Sequence, residues 1–162
     1  MGLKSMMTVK EKINLFIATG FGIGLFAPCA PGTFGSIPGV VLAYFFAYLP
    51  LWAQIPACLV LTILAIGVCE KAESTLGIVD DGRITADEWM LFPIALVGIP
   101  VQTLPWWAMA IFFAVVRALD IIKLPPARGL QKLSGGRGIV ADDFAANLQA
   151  LVVNWIIYLI VF

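Results

Sequence analysis

The chain has 162 residues, of which 61% are apolar and only 12% charged. Soluble chains carry roughly 25% charged residues, and a soluble domain of this size could not cover its surface with so few; a bilayer removes that demand. Ten Lys and Arg balance ten Asp and Glu with no long basic run, which gives no footing for nucleic acid, and the lack of histidine excludes every mechanism that needs a histidine base, nucleophile or ligand.

The opening residues, MGLKSMMTVKEK, are polar, and no small-residue cleavage site follows a short apolar region, so they do not read as a removable leader. Apolar stretches follow at 13–28, 37–51, 53–69, 89–99, 104–119 and 144–162. Only the last has a conventional spanning length, about 20 residues for a ~30 Å hydrocarbon core. The others would extend through their flanks or cross a thinned bilayer. Prolines punctuate the intervals and suit helix starts and tight connections.

Every Lys and Arg lies in the N-terminus, the 70–88 loop or the 117–143 region, whereas 49–56 and 99–105 carry no charge. Placing those two connections outside puts all basic residues inside, as the positive-inside rule requires. All ten acids fall on the same side. The expectation is an all-α membrane bundle, one domain over 1–162, with about five crossings (37–51, 53–69, 89–99, 104–119 and 144–162). The 13–28 segment is left as an interfacial or re-entrant helix.

Acids are scarce, so their placement is informative. Asp87 and Glu88 precede one apolar segment, Asp120 closes another, and Asp142 and Asp143 open the last. In this topology all five sit at the inner ends of three helices and can converge at one depth. Ionisable groups at the membrane boundary facing a bundle interior are functional candidates. Two like charges ~4 Å apart repel by about 4 kcal/mol at an effective dielectric near 20, so convergence calls for shared protons or bound cations. Oxygen ligands without His or Cys suit a hard cation such as Mg²⁺. Acids also favour helix N-termini for their own sake, and both readings fit. Arg117, Asp120 and Lys123 are spaced three apart on one helical face. Lys123, Arg128, Lys132 and Arg137 lie between Asp120 and Asp142. Acids beside bases are what phosphoryl transfer needs.

Two glycine-bearing loops flank these acids. In Ala30-Pro31-Gly32-Thr33-Phe34-Gly35-Ser36-Ile37-Pro38, Ser36 is placed to cap the next helix, with Pro38 in its first turn. Ser134-Gly135-Gly136-Arg137-Gly138 reads as a flexible loop able to carry Arg137 to a phosphate, or as a plain surface turn. Cys29, Cys58 and Cys69 are odd in number and form no C-x-x-C pair, which indicates neither a disulfide framework nor a zinc site. None has an Arg six positions on, as a cysteine phosphatase needs, and no D-x-D signature is present. A metal-activated water is the nucleophile that survives.

Together these stretches resemble the bacterial phosphatidylglycerophosphatase A family. The likeness is carried by Gly20-Phe21-Gly22-Ile23-Gly24, the 30–36 loop, Asp87-Glu88-Trp89, Arg117 to Lys123, and Gly135 to Asp143, in that order. Trp89 and Leu91 stand where the family has Phe and Gly, and Lys123-Leu124-Pro125-Pro126 replaces a K-P-W-P-like stretch. The resemblance implies Mg²⁺-dependent hydrolysis of phosphatidylglycerophosphate to phosphatidylglycerol and phosphate at the bacterial inner membrane. It implies Asp87, Glu88, Asp120, Asp142 and Asp143 as the acids that hold the metal and position water. Arg137 and Lys123 are expected to grip the phosphate, and Thr33 and Ser36 to line the pocket. The rival reading is a cation-binding transporter or channel, which would want charges near the bilayer midplane; the apolar segments carry none there.

Overall fold

A computed structural model describes residues 7–26, 30–78, 81–130 and 136–162. The described residues are helical or in turns, with no strand among them. Two helices dominate, α5 (Leu51–Leu76) and α9 (Gly136–Val161), each of 26 residues and apolar enough to cross a membrane. At 1.5 Å per residue each runs about 39 Å, more than the ~30 Å hydrocarbon core. They pack against each other, and α9 also touches α6 (Ala86–Leu91), α7 (Trp106–Ile122) and α8 (Ala127–Leu130).

Local sequence explains the boundaries. α5 starts after Pro50 and stops at Gly77, whose φ of 68° gives the left-handed turn that ends many helices. α7 starts after Pro105 and ends at Lys123, with φ 49°. A non-glycine residue there costs about 1–2 kcal/mol. α9 begins at Gly136, eight residues before the expected 144. A Cβ on Gly136 would stand 2.6 Å from Ile66 O, so glycine lets the start of α9 lie directly on α5. The expected loop at Gly136-Arg137-Gly138 is therefore helix, while Ser134 and Gly135 lie outside the described residues. Asp142 and Asp143 consequently sit in the second turn of α9 and do not open it.

The 89–99 segment is not one helix. It runs from α6 into a 3-10 turn (Phe92–Leu96), bends at Gly98 with φ 79°, and makes a second 3-10 turn at Val101–Thr103. Pro93 and Pro100 withhold N–H groups, which favours the break. Irregular backbone at membrane depth survives only when protein satisfies its polar groups, and neighbouring side chains do so here. Gln54 accepts from Gly98 N at 2.9 Å, Asn154 donates to Ala95 O at 3.0 Å, and Trp155 donates to Val97 O at 3.0 Å. Leu91, Phe92 and Ala95 are fully buried, so this stretch forms the core.

The 13–28 stretch, expected as one interfacial or re-entrant helix, is broken into two helices over its described residues. α1 (Val9–Ala18) lies against α5 and opens with a Thr8–Glu11 capping box. Left-handed residues Gly20, Phe21 and Gly22 then turn the chain into α2 (Ile23–Phe26). α3 (Pro31–Gly35) and α4 (Ile37–Phe46) follow, α4 lying on α6 and the 3-10 turn. At the charge-free connections Tyr48, Trp52 and Trp106 are exposed, the placement of an interfacial aromatic belt.

Gly39 and Gly67 separate close packing from helix propensity. A Cβ on Gly39 would meet Trp89 O at 2.7 Å and Phe92 Cβ at 2.6 Å, whereas nothing lies within 4 Å of one on Gly67. Gly39→Ala should destabilise by about 1–3 kcal/mol, and Gly67→Ala should stabilise by about 0.5–1 kcal/mol. Thermal unfolding in one detergent should move the two melting temperatures in opposite directions.

Candidate active site

The site grows from three helix ends. Asp87 and Glu88 occupy the first turn of α6, where a helix dipole favours anions. Arg117 and Asp120 stand one turn apart near the end of α7, and Asp142 and Asp143 lie in the second turn of α9. Asp87, Asp142 and Asp143 are buried. Asp87 feels the charges of Glu88, Asp120 and Asp142, while Asp143 interacts with Asp87, Asp120 and Glu88. The five acids therefore converge.

Arg117 is the hub. Its Nη1 lies 2.9 Å from Glu88 Oε2, 3.0 Å from Asp120 Oδ2 and 3.1 Å from Ser36 Oγ. The Ser36 hydroxyl sits 2.8 Å from both Glu88 Oε2 and Gly32 O, so it accepts from Arg117 and donates to one of these oxygens. It is not the helix cap expected from sequence; no side-chain cap bond forms at α4, because the hydroxyl turns inward to Glu88. Gly32 makes room, since a Cβ there would stand 2.1 Å from Glu88 Oε1. Lys123 does not pair with Asp120 through their shared face; its left-handed turn at the end of α7 brings Nζ to Asp142.

Burial sets the protonation of the α6 acids, which lie outside the two long helices. Burial raises the Asp87 carboxyl well above the usual range, and the charge of Glu88 adds to the rise. Burial raises Glu88 to about 7, against the lowering pull of Arg117. At neutral pH the site can thus hold a proton on a carboxylate.

Oxygen is the only donor type these acids present. Oδ1 of Asp87 and Oδ1 of Asp142 are buried without a hydrogen-bond partner among the described residues, as is the Arg117 Nε donor. Orphaned acceptors suit a hard divalent cation, and an orphaned guanidinium N–H suits a phosphate oxygen. Among the described residues, however, no three acids are grouped closely enough to cage a metal. Arg117 and Lys123 occupy carboxylate oxygens that a cation would use.

The remaining candidates fall outside this centre or at its edge. Thr33 is half-buried on α3, and its hydroxyl makes no hydrogen bond among the described residues. Arg128 is exposed and Lys132 lies outside the described residues. Arg137 is exposed and borders a separate apolar cavity together with Val140, Ala141 and Phe144. Those positions share one face of α9, and at 3.6 residues per turn Asp142 and Asp143 project from the other. Arg117 was not among the expected site residues. Its signal was available, as the one cation inside α7, whose only other charged residue is Asp120, and only the fold shows that it reaches Glu88 and Ser36. Asn147 was also unforeseen: it is buried, donates to Asp143 O at 2.9 Å and leaves its Oδ1 unpaired.

The fold and site define an all-α protein with two helices apolar enough to span a membrane and with carboxylates gathered around an arginine at three helix ends. The sequence profile of the family Phosphatidylglycerophosphatase A matches residues 16–158, and the chain belongs to that family. It is an enzyme of the phosphoric monoester hydrolase kind. Phosphatidylglycerophosphatase A of Haemophilus influenzae is 36% identical over 153 residues, covering 88% of this chain and 90% of its own. Phosphatidylglycerophosphatase A of Escherichia coli is 35% identical over 148 residues, covering 90% and 83%. A Bacteroides thetaiotaomicron protein provisionally assigned as a phosphatidylinositol-3-phosphatase is 30% identical over 154 residues, covering 90% and 96%. No solved structure matches the chain significantly.

Gly32→Ala should push Glu88 off Ser36 and Arg117. The expected outcome is a loss of hydrolysis by roughly 10²-fold, the scale of removing one preorganised electrostatic contact, with the protein still folded by circular dichroism. Lys123 separates charge from backbone strain. Lys123→Gly should melt higher than Lys123→Ala, because glycine relieves the left-handed conformation, while both lose activity alike.

Proposed function

We propose that the protein hydrolyses phosphatidylglycerophosphate to phosphatidylglycerol and phosphate, with Mg²⁺, from the cytoplasmic side of a bacterial inner membrane. The observation that carries this reading is the partly buried Arg117–Glu88–Asp120 cluster beside the buried Asp87, Asp142 and Asp143, in a chain of this family. The orientation rests on the gathering of all charges at the ends away from 49–56 and 99–105. Crossings by α4, the broken 89–99 segment and α7, beside the two long helices, complete the topology, with α1 and α2 at the interface.

Asp87, Glu88, Asp120, Asp142 and Asp143 would hold Mg²⁺, which supplies a Lewis acid and a water acidified enough to attack phosphorus near neutral pH. Arg117 turns its unpartnered Nε and its terminal nitrogens to the phosphoryl oxygens, and Lys123 Nζ offers a second cation. Arg137 projects from the other face of α9, so the phosphate-gripping task falls to Arg117 and Lys123. Ser36 keeps Glu88 oriented through its hydroxyl. Glu88 takes the proton of the attacking water at an Oε atom and returns it to the leaving glycerol oxygen as the P–O bond breaks. Thr33 and Ser36 line the pocket from α3 and its junction with α4.

Phosphate release from phosphatidylglycerophosphate by purified protein tests this, with Mg²⁺ and with a chelator. Release should depend on Mg²⁺ and fall at least about 10²-fold in Asp142→Asn and Arg117→Ala. A faster reaction on phosphatidylinositol 3-phosphate, or equal rates with the chelator, would overturn the substrate or the cofactor respectively.

A further inference from the structure

Away from the acids lies a cavity of about 410 Å³, formed between α5 and α9 and also lined by Leu130 of α8. Ile63 and Ile66 wall it from α5, and Val140 and Phe144 wall it from α9. Arg137 is the one charged residue lining it. From Arg137 to Phe144 the trough follows α9 for about 10 Å, along a helix long enough to span the membrane. Arg137 is the second residue of that helix, so the charge stands at the membrane boundary and the apolar walls run into the hydrocarbon. One acyl chain fits this shape, with its phosphate at the arginine.

A second charge stands at the same end. Glu70 follows Ile66 by one turn of α5, on the strip that carries Ile63 and Ile66. Its Cβ would lie 3.0 Å from a Cβ built on Gly136, which places it beside the start of α9. Glu70 and Arg137 are both exposed, and they form no ion pair with each other or with any described residue. An anionic headgroup would satisfy Arg137 and be repelled by Glu70. A headgroup carrying a phosphate and an ammonium satisfies both.

We propose that this trough is a bound-lipid site, separate from the acid centre, that holds one acyl chain of a zwitterionic aminophospholipid with its phosphate on Arg137 and its ammonium on Glu70. The lipid is held and not hydrolysed, because Asp142 and Asp143 project from the other face of α9. It would seal the α5–α9 seam where Gly136 sits against the α5 backbone. The proposal does not depend on which phosphomonoester the enzyme hydrolyses.

Native mass spectrometry of the full chain, released from nanodiscs of mixed phosphatidylethanolamine and phosphatidylglycerol, tests it. The wild type should retain one phosphatidylethanolamine in preference to phosphatidylglycerol by about tenfold, the scale of one charge-assisted contact. Arg137→Gln should cut retention of both lipids. Glu70→Gln should erase the preference while keeping a lipid bound. Ile63→Trp should fill the trough and cut retention at least about fivefold with an unchanged melting temperature, Ile63 being 69% exposed and so free to accept a larger ring. Equal retention of the two lipids by the wild type, or undiminished retention by a folded Ile63→Trp, would overturn it.

Discussion

The contact on which the site depends is the three-way embrace of Arg117 by Glu88, Asp120 and Ser36. It joins α6, α7 and the α3–α4 junction at one point, and those elements are otherwise far apart in sequence. The Arg117 side chain is 12% exposed, so its charge is screened little by solvent. Removing one partner of a buried pair leaves an uncompensated charge, at a cost of about 3–5 kcal/mol. The same burial that makes the cluster strong raises the carboxyl of Glu88 to about 7. Placement and proton affinity therefore have one cause.

Around that point the helices are arranged to expose helix ends to each other, and the break in the middle of the chain makes this possible. A continuous helix over 86–104 would carry its N-terminal acids on a rigid rod fixed by the bilayer. Instead α6 is six residues long and its continuation bends, with Gln54, Asn154 and Trp155 taking up the freed backbone groups. Glycines then set the approach. Gly35 sits where a Cβ would meet Thr85 Cβ at 2.4 Å, and Gly32 sits where one would meet the Glu88 carboxylate. The stretch 30–36, read as a loop from its glycines but folded largely into α3, is thus a packing surface for the start of α6, which is how Ser36 comes to touch Glu88.

Much of this was legible beforehand. Charge scarcity singled out the five acids, and the i, i+3 spacing of Arg117 and Asp120 foretold their pairing at 3.0 Å. The apolar runs announced α5 and the C-terminal helix, though not the start of α9. Glycines read as loop signals, and Gly136 is helical because a long neighbouring helix rewards close approach, a tertiary effect that local propensity does not contain. The same shift moved Arg137 onto the face of α9 turned from the acids. Ser36 carried a capping signal, but a buried carboxylate and guanidinium outbid the helix N-terminus for its hydroxyl. The apolar run 89–99 looked like one continuous helix because periodicity does not register that Pro93 and Pro100 break it.

The ion pairs also constrain how the proposed chemistry can begin. Arg117 and Lys123 pair with three of the five acids, Glu88, Asp120 and Asp142, and each contact offsets a carboxylate charge in a largely buried setting. A doubly charged phosphate monoester cannot simply draw these cations to itself. The carboxylates left behind would repel one another and the incoming oxygens, by about 4 kcal/mol for each pair near 4 Å at an effective dielectric of 20. Two positive charges must therefore arrive with the two negative ones. A divalent cation meets that requirement in one particle, and it suits the orphaned oxygens of Asp87 and Asp142.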